Sequence, residues 1–419
     1  MGSKQMIKHD FATLAATWSF PTTVLFGAGT LDKAGRACEQ AQIKRPLVVT
    51  DPPLAKLPVT ETLLEALRDR GLEPALFTDV RSNPVAANVE AGVAAFHAQS
   101  HDGVVALGGG SALDCGKVIA FMAGQSRPLW DFEDIGDWWT RADASLISPI
   151  IAVPTTAGTG SEVGRAGVLT NSATHKKKII FHPKLLPVVT ICDPALTVGM
   201  PKFITAGTGM DALAHCLEAY SSPFYHPMSQ GIALEGMRLV FENLPKVYAD
   251  ANDLDACAHM MSAAAMGAVA FQKGLGAIHS LSHPVGAIYN THHGMTNAVV
   301  MPPVLRFNRP AVEAKLAQAA AYLGIAGGFD GFYNFVLGLR EELGVPDKLS
   351  QLGVGNGQLS LPVEPNGRQS YTVSVACAPN LTCRSRSPAA VVAMVRLVAP
   401  AGMASVRVTP VAVLLPTLV

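Results

Sequence analysis

The chain is short of charge and has no excess of either sign: of 419 residues only 15% are charged, split into 32 basic and 32 acidic side chains. Without a basic cluster there is no electrostatic footprint for nucleic acid, and the run Lys176, Lys177, Lys178 is too small to make one. That run is read instead as one functional lysine with solvated neighbours. Disulfide and structural-zinc spacing is missing too. The seven cysteines are odd in number and scattered without a CxxC pair, which excludes a disulfide framework and suits a reducing compartment. The first residues, MGSKQMIKHDFATLAATWSFP, lack a secretory apolar core and carry Asp10, and no uncharged apolar run reaches bilayer length. The expectation is a cytoplasmic protein that takes neither a membrane nor a nucleic acid as partner.

What is present is apolar and ordered in its pattern. Hydrophobic residues make up 49% of a chain long enough for two domains. From about Pro46 to Ile191, short β-branched runs alternate with helical ones: RPLVVTD, PALFTDV and HDGVVALGG read as strands, ETLLEALRDRG and NVEAGVAAFHAQS as helices. Such alternation predicts a parallel sheet covered on both faces. After Asp193-Pro194 the strands stop, and from about Thr205 to Leu349 Ala, Leu and Met recur at helical spacing. The predicted fold is an α/β N-terminal domain over 1–195 followed by an all-helical domain over 196–354. Beyond about Gly355 the character changes again: 355–419 is rich in Val, Pro, Ser and Arg, with Glu364 as its one acid against five arginines.

Chemistry concentrates in two kinds of motif. In TGMDALAHCLEAY, Asp211 and His215 stand four apart, so a helix puts them on one face. In AIHSLSHPVGAIYNTHHG, His279 and His283 repeat that spacing and His293 follows a turn marked by Asn290. Together the two segments offer one oxygen and three nitrogen ligands, a set for Fe(II) or Zn(II) rather than Ca(II) or Mg(II). A single Asp-x-x-x-His is as readily a surface pair, but imidazoles set among Ala277, Ile278, Leu281, Val285 and Ala287 point inward and need partners. The neighbouring His292 hints at extra polarity there.

The second kind follows strands. GVVALGGGSALDCGK places Gly108, Gly109 and Gly110 after a buried strand, then Ser111 and Asp114 at capping-box spacing, a form suited to a pyrophosphate at a helix N-terminus. IIAVPTTAGTGSEVG adds a loop with Thr155, Thr156, Thr159 and Ser161. Either stretch alone reads equally as a plain turn. Two such loops on one edge of a parallel sheet match where open α/β sheets bind ligands. Asp51, at the end of LVVT, can accept from a ribose 2′-OH and would repel a 2′-phosphate, which favours NAD over NADP.

GGGSALDCGK, PTTAGTGSE, DPALTVGMP, GMDALAHCLEAY and GLGAIHSLSHPVGAIYNTHHG, in that order between about Thr23 and Gly353, resemble the signatures of the iron-containing (group III) alcohol dehydrogenases. The resemblance implies a Rossmann-like domain joined to a helical one, an architecture of the dehydroquinate synthase-like kind, with the active site in the cleft between them. It implies metal ligation by Asp211, His215, His279 and His293, and a place near substrate, with a proton-relay role, for His283. Asp51, Asn83, Gly108, Gly109, Gly110, Ser111, Asp114, Thr155, Thr156, Thr159, Ser161 and Lys177 match cofactor-contacting positions. The implied activity is hydride transfer between NAD and a primary alcohol, diol or hydroxy acid, with Fe(II), or Zn(II) in its place, in at least a homodimer. A polyol or sugar-phosphate dehydrogenase, or a metal-dependent hydrolase or lyase, are the alternatives. The family continues with acidic helices where this chain turns to Arg, Val and Pro, so residues from about Gly355 onward are expected to follow a shifted reading frame.

Overall fold

A computed structural model describes residues 22–355 together with the backbone of three short strands, Ala16–Trp18, Thr372–Ser374 and Arg396–Val398. The segment expected to follow a shifted frame lies outside the described residues, apart from those last two strands, which pair antiparallel.

The first half is β1 Ala16–Trp18, β2 Thr23–Phe26, α1 Ala34–Gln40, β3 Pro46–Val49, α2 Pro58–Arg68, β4 Ala75–Phe77, α3 Ala86–Ala98, β5 Gly103–Gly108, α4 Gly110–Met122 and β6 Ile150–Pro154. Then come β7 Ala166–Asn171, β8 Lys176–Phe181 and β9 Val189–Cys192. The sheet order is β1-β2-β9-β6-β5-β3-β4, with every pairing parallel except that of β1 with β2. Helices cover both faces, so β3, β5 and β6 are buried at every position, which is why they read as unbroken apolar runs. One core lies on each side of the sheet, around Phe121 and Phe132 on one and around Leu63, Leu67 and Ile43 on the other. The hairpin β7–β8 stands apart from the sheet and was not foreseen: its alternation is broken by the lysines of β8, which masks the strand period.

Helices make up the second half: α5 Lys202–Ser221, α6 Pro227–Ala249, α7 Leu254–Ala270, α8 Ala277–Tyr289, α9 His293–Tyr322 and α10 Gly328–Glu342. α5 runs through the middle, buried continuously from Thr205 to Tyr220, because α6, α7 and α9 pack around it. That explains its lack of a polar face. α7 with the turn after it, Leu254–Lys273, is 20 residues long and contains an 18-residue stretch of mean hydropathy 1.3, enough by length and composition to cross a membrane; 67% of that stretch is buried inside the protein. The described cysteines Cys38, Cys115, Cys192, Cys216 and Cys257 are all free and buried.

Candidate active site

The parallel strands place three loops on one edge. Taking β3, β4, β5, β6 and β9 in chain order, their spatial order is 2-1-3-4-5, and the order reverses between β3 and β5. Ligands of such sheets bind beyond the carboxyl ends of the strands at that reversal. Asp51 follows β3 and Gly108 ends β5, with φ +142°, a conformation side chains disfavour; a Cβ there would stand 3.6 Å from Asp51 Oδ2. Asp51 Oδ1 accepts from Leu54 N at 3.0 Å, so one oxygen closes the turn and the other faces the glycine loop. The loop after β6 packs onto the same glycines. A Cβ on Gly110 would meet Thr159 Cγ2 at 2.6 Å, one on Gly109 would meet Thr156 Cγ2 at 3.3 Å, and Thr155 N donates to Gly108 O at 3.0 Å. Glycine is therefore what lets the two loops touch.

One detail differs from the spacing argument. Ser111 and Asp114 do not form a capping box: Gly109 is the N-cap of α4 and no side chain caps it. Asp114 turns sideways off the helix instead. Its Oδ1 accepts from Ser161 Oγ at 2.5 Å and its Oδ2 from Val168 N at 3.0 Å, which ties α4 to the β6 loop and to β7. Lys117, which the sequence reading passed over, joins them: Nζ lies 3.3 Å from Asp114 Oδ1 and donates to the carbonyls of Ser161 and Ala166, with the side chain 1% exposed. Glu162 is buried beside this group; burial pushes its carboxyl up to about 7 against the pull of Lys117.

Across the cleft, α5 carries Asp211 and His215 on one face, as the i, i+4 spacing requires. α8 brings His279 from its first turn. Asn290, left-handed at φ 52°, ends α8, and His292 caps α9 by accepting from Met295 N, so the chain reverses in two residues and returns His293. His292 is thus engaged as a cap and packs edge-on against Phe203, not as extra polarity at the cluster. Glycine again permits the approach: a Cβ on Gly294 would sit 2.0 Å from Gly207 O and 3.0 Å from Asp211 Cβ. The donor atoms of Asp211, His215 and His279 all lie within 4.8 Å of one another, and all three residues are buried. His293 stands a little apart, its Nε2 3.6 Å from Asp211 Oδ1, the same distance as His279 Nε2. His283 lies outside the cluster, its ring 5.3 Å from that of His293 and 6.0 Å from that of His279.

Two residues at this cluster were overlooked in the sequence. Glu218 is buried on the same face of α5, and its Oε2 meets His279 Nδ1 at 2.5 Å. Asn297, one turn after His293, donates from Nδ2 to Asp211 Oδ1 at 2.7 Å, with His279 Nε2 at 3.2 Å and His293 Nε2 at 3.3 Å. Both signals were available: an acid three residues past His215 and an amide four past His293 each share the ligand's helix face.

The electrostatics keep Asp211 ionised and all but one of the surrounding imidazoles neutral. Burial alone would raise Asp211, but His215, His293 and His279 hold it ionised well below the usual carboxylate range. Burial lowers His215 to about 4, and lowers His283 and His293 well below the ordinary value, with Lys177 adding to the effect on both. His279 is the exception: burial works against its charge, but Glu218 and Asp211 raise it to about 9. His215 Nδ1 is buried and makes no hydrogen bond of good geometry, with only the Gly158 backbone close to the ring. Three imidazoles and a carboxylate converging in a buried spot suit a borderline divalent metal, so the residues fit iron or zinc.

Two further predicted residues lie against α8 and its C-terminal end. Lys177 reaches from β8 towards α8, its Nζ 3.6 Å from where a Cβ of Gly286 would stand; burial lowers it to about 8, opposed by Asp114 and Asp211. Its neighbours differ from expectation, since only Lys176 is exposed while Lys178 pairs with Glu133 and lies over Trp130. Asn83 donates from Nδ2 to Asn290 Oδ1 at 2.7 Å, a bond that links the sheet half to the helical half.

The chain is similar to known proteins. Residues 21–194 match the iron-containing alcohol dehydrogenase family, and residues 205–366 match the Fe-containing alcohol dehydrogenase family, C-terminal. The chain is 40% identical over 339 residues to the 4-hydroxybutyrate dehydrogenase of Cupriavidus necator, covering 78% of this chain and 87% of the relative. The solved structure of a 1,3-propanediol oxidoreductase superposes with a TM-score of 0.75 at 36% identity, over 80% of this chain and 88% of that one. The sulfoacetaldehyde reductase of Bifidobacterium kashiwanohense, solved with NAD+, superposes with a TM-score of 0.73 at 30% identity over the same shares, 80% and 88%. The chain belongs to the iron-containing alcohol dehydrogenase family.

Proposed function

We propose that this NAD-linked, iron-containing alcohol dehydrogenase interconverts a short primary alcohol bearing a second polar group, a diol or an ω-hydroxy acid, with its aldehyde. The substrate class is carried over from the 4-hydroxybutyrate and 1,3-propanediol enzymes it resembles. The observation that supports the site is the buried convergence of Asp211, His215 and His279 within 4.8 Å, with His293 at 3.6 Å from Asp211. We assign these four as ligands, and with them the division into a cofactor-binding part over 1–195, a metal-binding part over 196–354 and an atypical tail over 355–419. A hydrolase or lyase would leave the glycine and threonine loops without a task.

When bound there, the metal supplies Lewis-acid polarisation of the substrate oxygen, and NAD supplies the hydride acceptor. The chain's residues do the rest. The N–H groups at the start of α4 and the hydroxyls of Thr155, Thr156 and Thr159 hold the cofactor's phosphates and carboxamide, and the free oxygen of Asp51 accepts from its ribose. Asp114, Ser161 and Lys117 fix these loops against each other, which keeps the cofactor's position from drifting. His283, neutral because burial and Lys177 lower it, takes the proton that leaves the alcohol oxygen. Lys177, which stands beside Gly286 of α8, is assigned to the cofactor as well. We further propose a homodimer in the cytoplasm.

NADH formation with a panel of primary alcohols, diols and ω-hydroxy acids tests the reading. Protein stripped by chelator should lose activity and regain it with Fe(II) or Zn(II). Activity indifferent to metal would overturn the four-ligand assignment.

A further inference from the structure

The helix that carries Asp211 and His215 presents a second acid on the same face. Glu218 follows His215 by three residues, is 7% exposed, and engages each oxygen separately. Oε2 meets His279 Nδ1 at 2.5 Å, and Oε1 accepts from Ile278 N at 2.6 Å. Ile278 N belongs to the first turn of α8, where backbone N–H groups have no partner within the helix. One carboxylate therefore anchors both the helix start and the imidazole that projects from it. Room for it is made by Gly276: a Cβ there would stand 2.9 Å from Glu218 Oε1.

The bond has a direction that matters to the other ring nitrogen. With Nδ1 engaged by the carboxylate, the ring is held so that Nε2 faces Asp211 Oδ1, 3.6 Å away, on the side where the donor atoms converge. A carboxylate on the far nitrogen of a ligating histidine fixes its tautomer and raises its donor strength. Charge gives a second argument. A divalent cation among neutral imidazoles and Asp211 alone would keep one positive charge in a buried place. Glu218 supplies the second negative charge one imidazole away, and both acids are nearly inaccessible to solvent.

We propose that Glu218 is a positioning residue of the metal centre, orienting His279 through Nδ1 and completing the charge balance of a divalent ion. The inference rests on the assignment of Asp211, His215, His279 and His293 as ligands. Glutamine at this position can still accept from Nδ1–H, but it brings no charge and turns its NH2 towards Ile278 N–H, so Glu218→Gln in the full chain removes the charge together with the anchor on the start of α8. Affinity for Fe(II) and Zn(II), read by chelator competition, should fall about 10- to 100-fold, the usual range for losing such a partner. The visible absorption of the Co(II)-loaded variant should shift from that of the parent. Unchanged affinity and an unshifted band overturn the proposal, whatever happens to the melting temperature. Should E218Q be too unstable to purify, E218D keeps the charge and loses one methylene of reach; weakened binding there supports the proposal and parental binding overturns it. Failure of the ligand assignment shows up elsewhere: the parent and His279→Ala would then bind Co(II) alike, without any change at Glu218.

Discussion

The two sides of the cleft are built from opposite materials. On the sheet edge the working groups are backbone N–H, small hydroxyls and glycines, and contact between loops depends on side chains that are missing, as at Gly108 and Gly110. On the helical side they are large ionisable side chains, drawn from three helices and held by partners such as Glu218 and Asn297. A phosphate-bearing cofactor is met by many weak donors that tolerate adjustment, whereas a metal demands few donors at fixed positions. Buried charge follows the same division. Around Asp211 it is compensated by imidazoles, while Glu162 behind the threonine loop is compensated only in part, despite Lys117.

The sharpest test of this contrast is His279→Ala. Loss of an outer partner costs ~10- to 100-fold in metal affinity, so loss of the ligand itself should exceed that and remove activity with it. Metal analysis beside NADH formation decides the matter; a variant that keeps its metal would collapse the distinction between the two sides.

The next effect concerns charge on the sheet side. Burial pushes the Glu162 carboxyl up to about 7 in the folded state, against an ordinary value of 4.5 when unfolded, so the folded state binds the extra proton between those values. Stability contributed by this group is therefore present at low pH and is lost as pH rises through about 7. Glu162→Gln should melt higher than the parent at pH 8.5, by up to about 3 kcal/mol, and show little advantage at pH 5. Equal differences at both pH values would mean that Lys117 already compensates the charge.

The smallest effect tests the missing side chains. In Gly110→Ala the new methyl would press on Thr159 at 2.6 Å, pushing the loops apart at a cost of about 1–3 kcal/mol. KM for NAD should rise while metal content stays parental. A change in metal content instead would show that the loops and the cluster are not separable.

Much of this was legible along the chain. The strands β3, β4 and β5 and the helices between them lie where apolar runs and helical spacing put them, and Asp211 with His215 shares a face because a helix has a fixed period. Less legible were contacts whose partners lie far apart in sequence. Asp114 looked like a cap because Ser111 precedes it at the right interval, yet it bonds to Ser161, 47 residues on. His292 hinted at extra polarity beside His293, yet its ring nitrogen caps α9.

Local periodicity and the chemistry of single residues were enough to mark the two halves, the donor types and the glycines. Which groups meet was left to packing: Glu218 holds His279, Asn297 reaches Asp211, and Lys117 ties α4 to the loop after β6. A buried polar atom takes whichever partner packing brings within about 3 Å, and packing is set by the whole core rather than by neighbours in the chain.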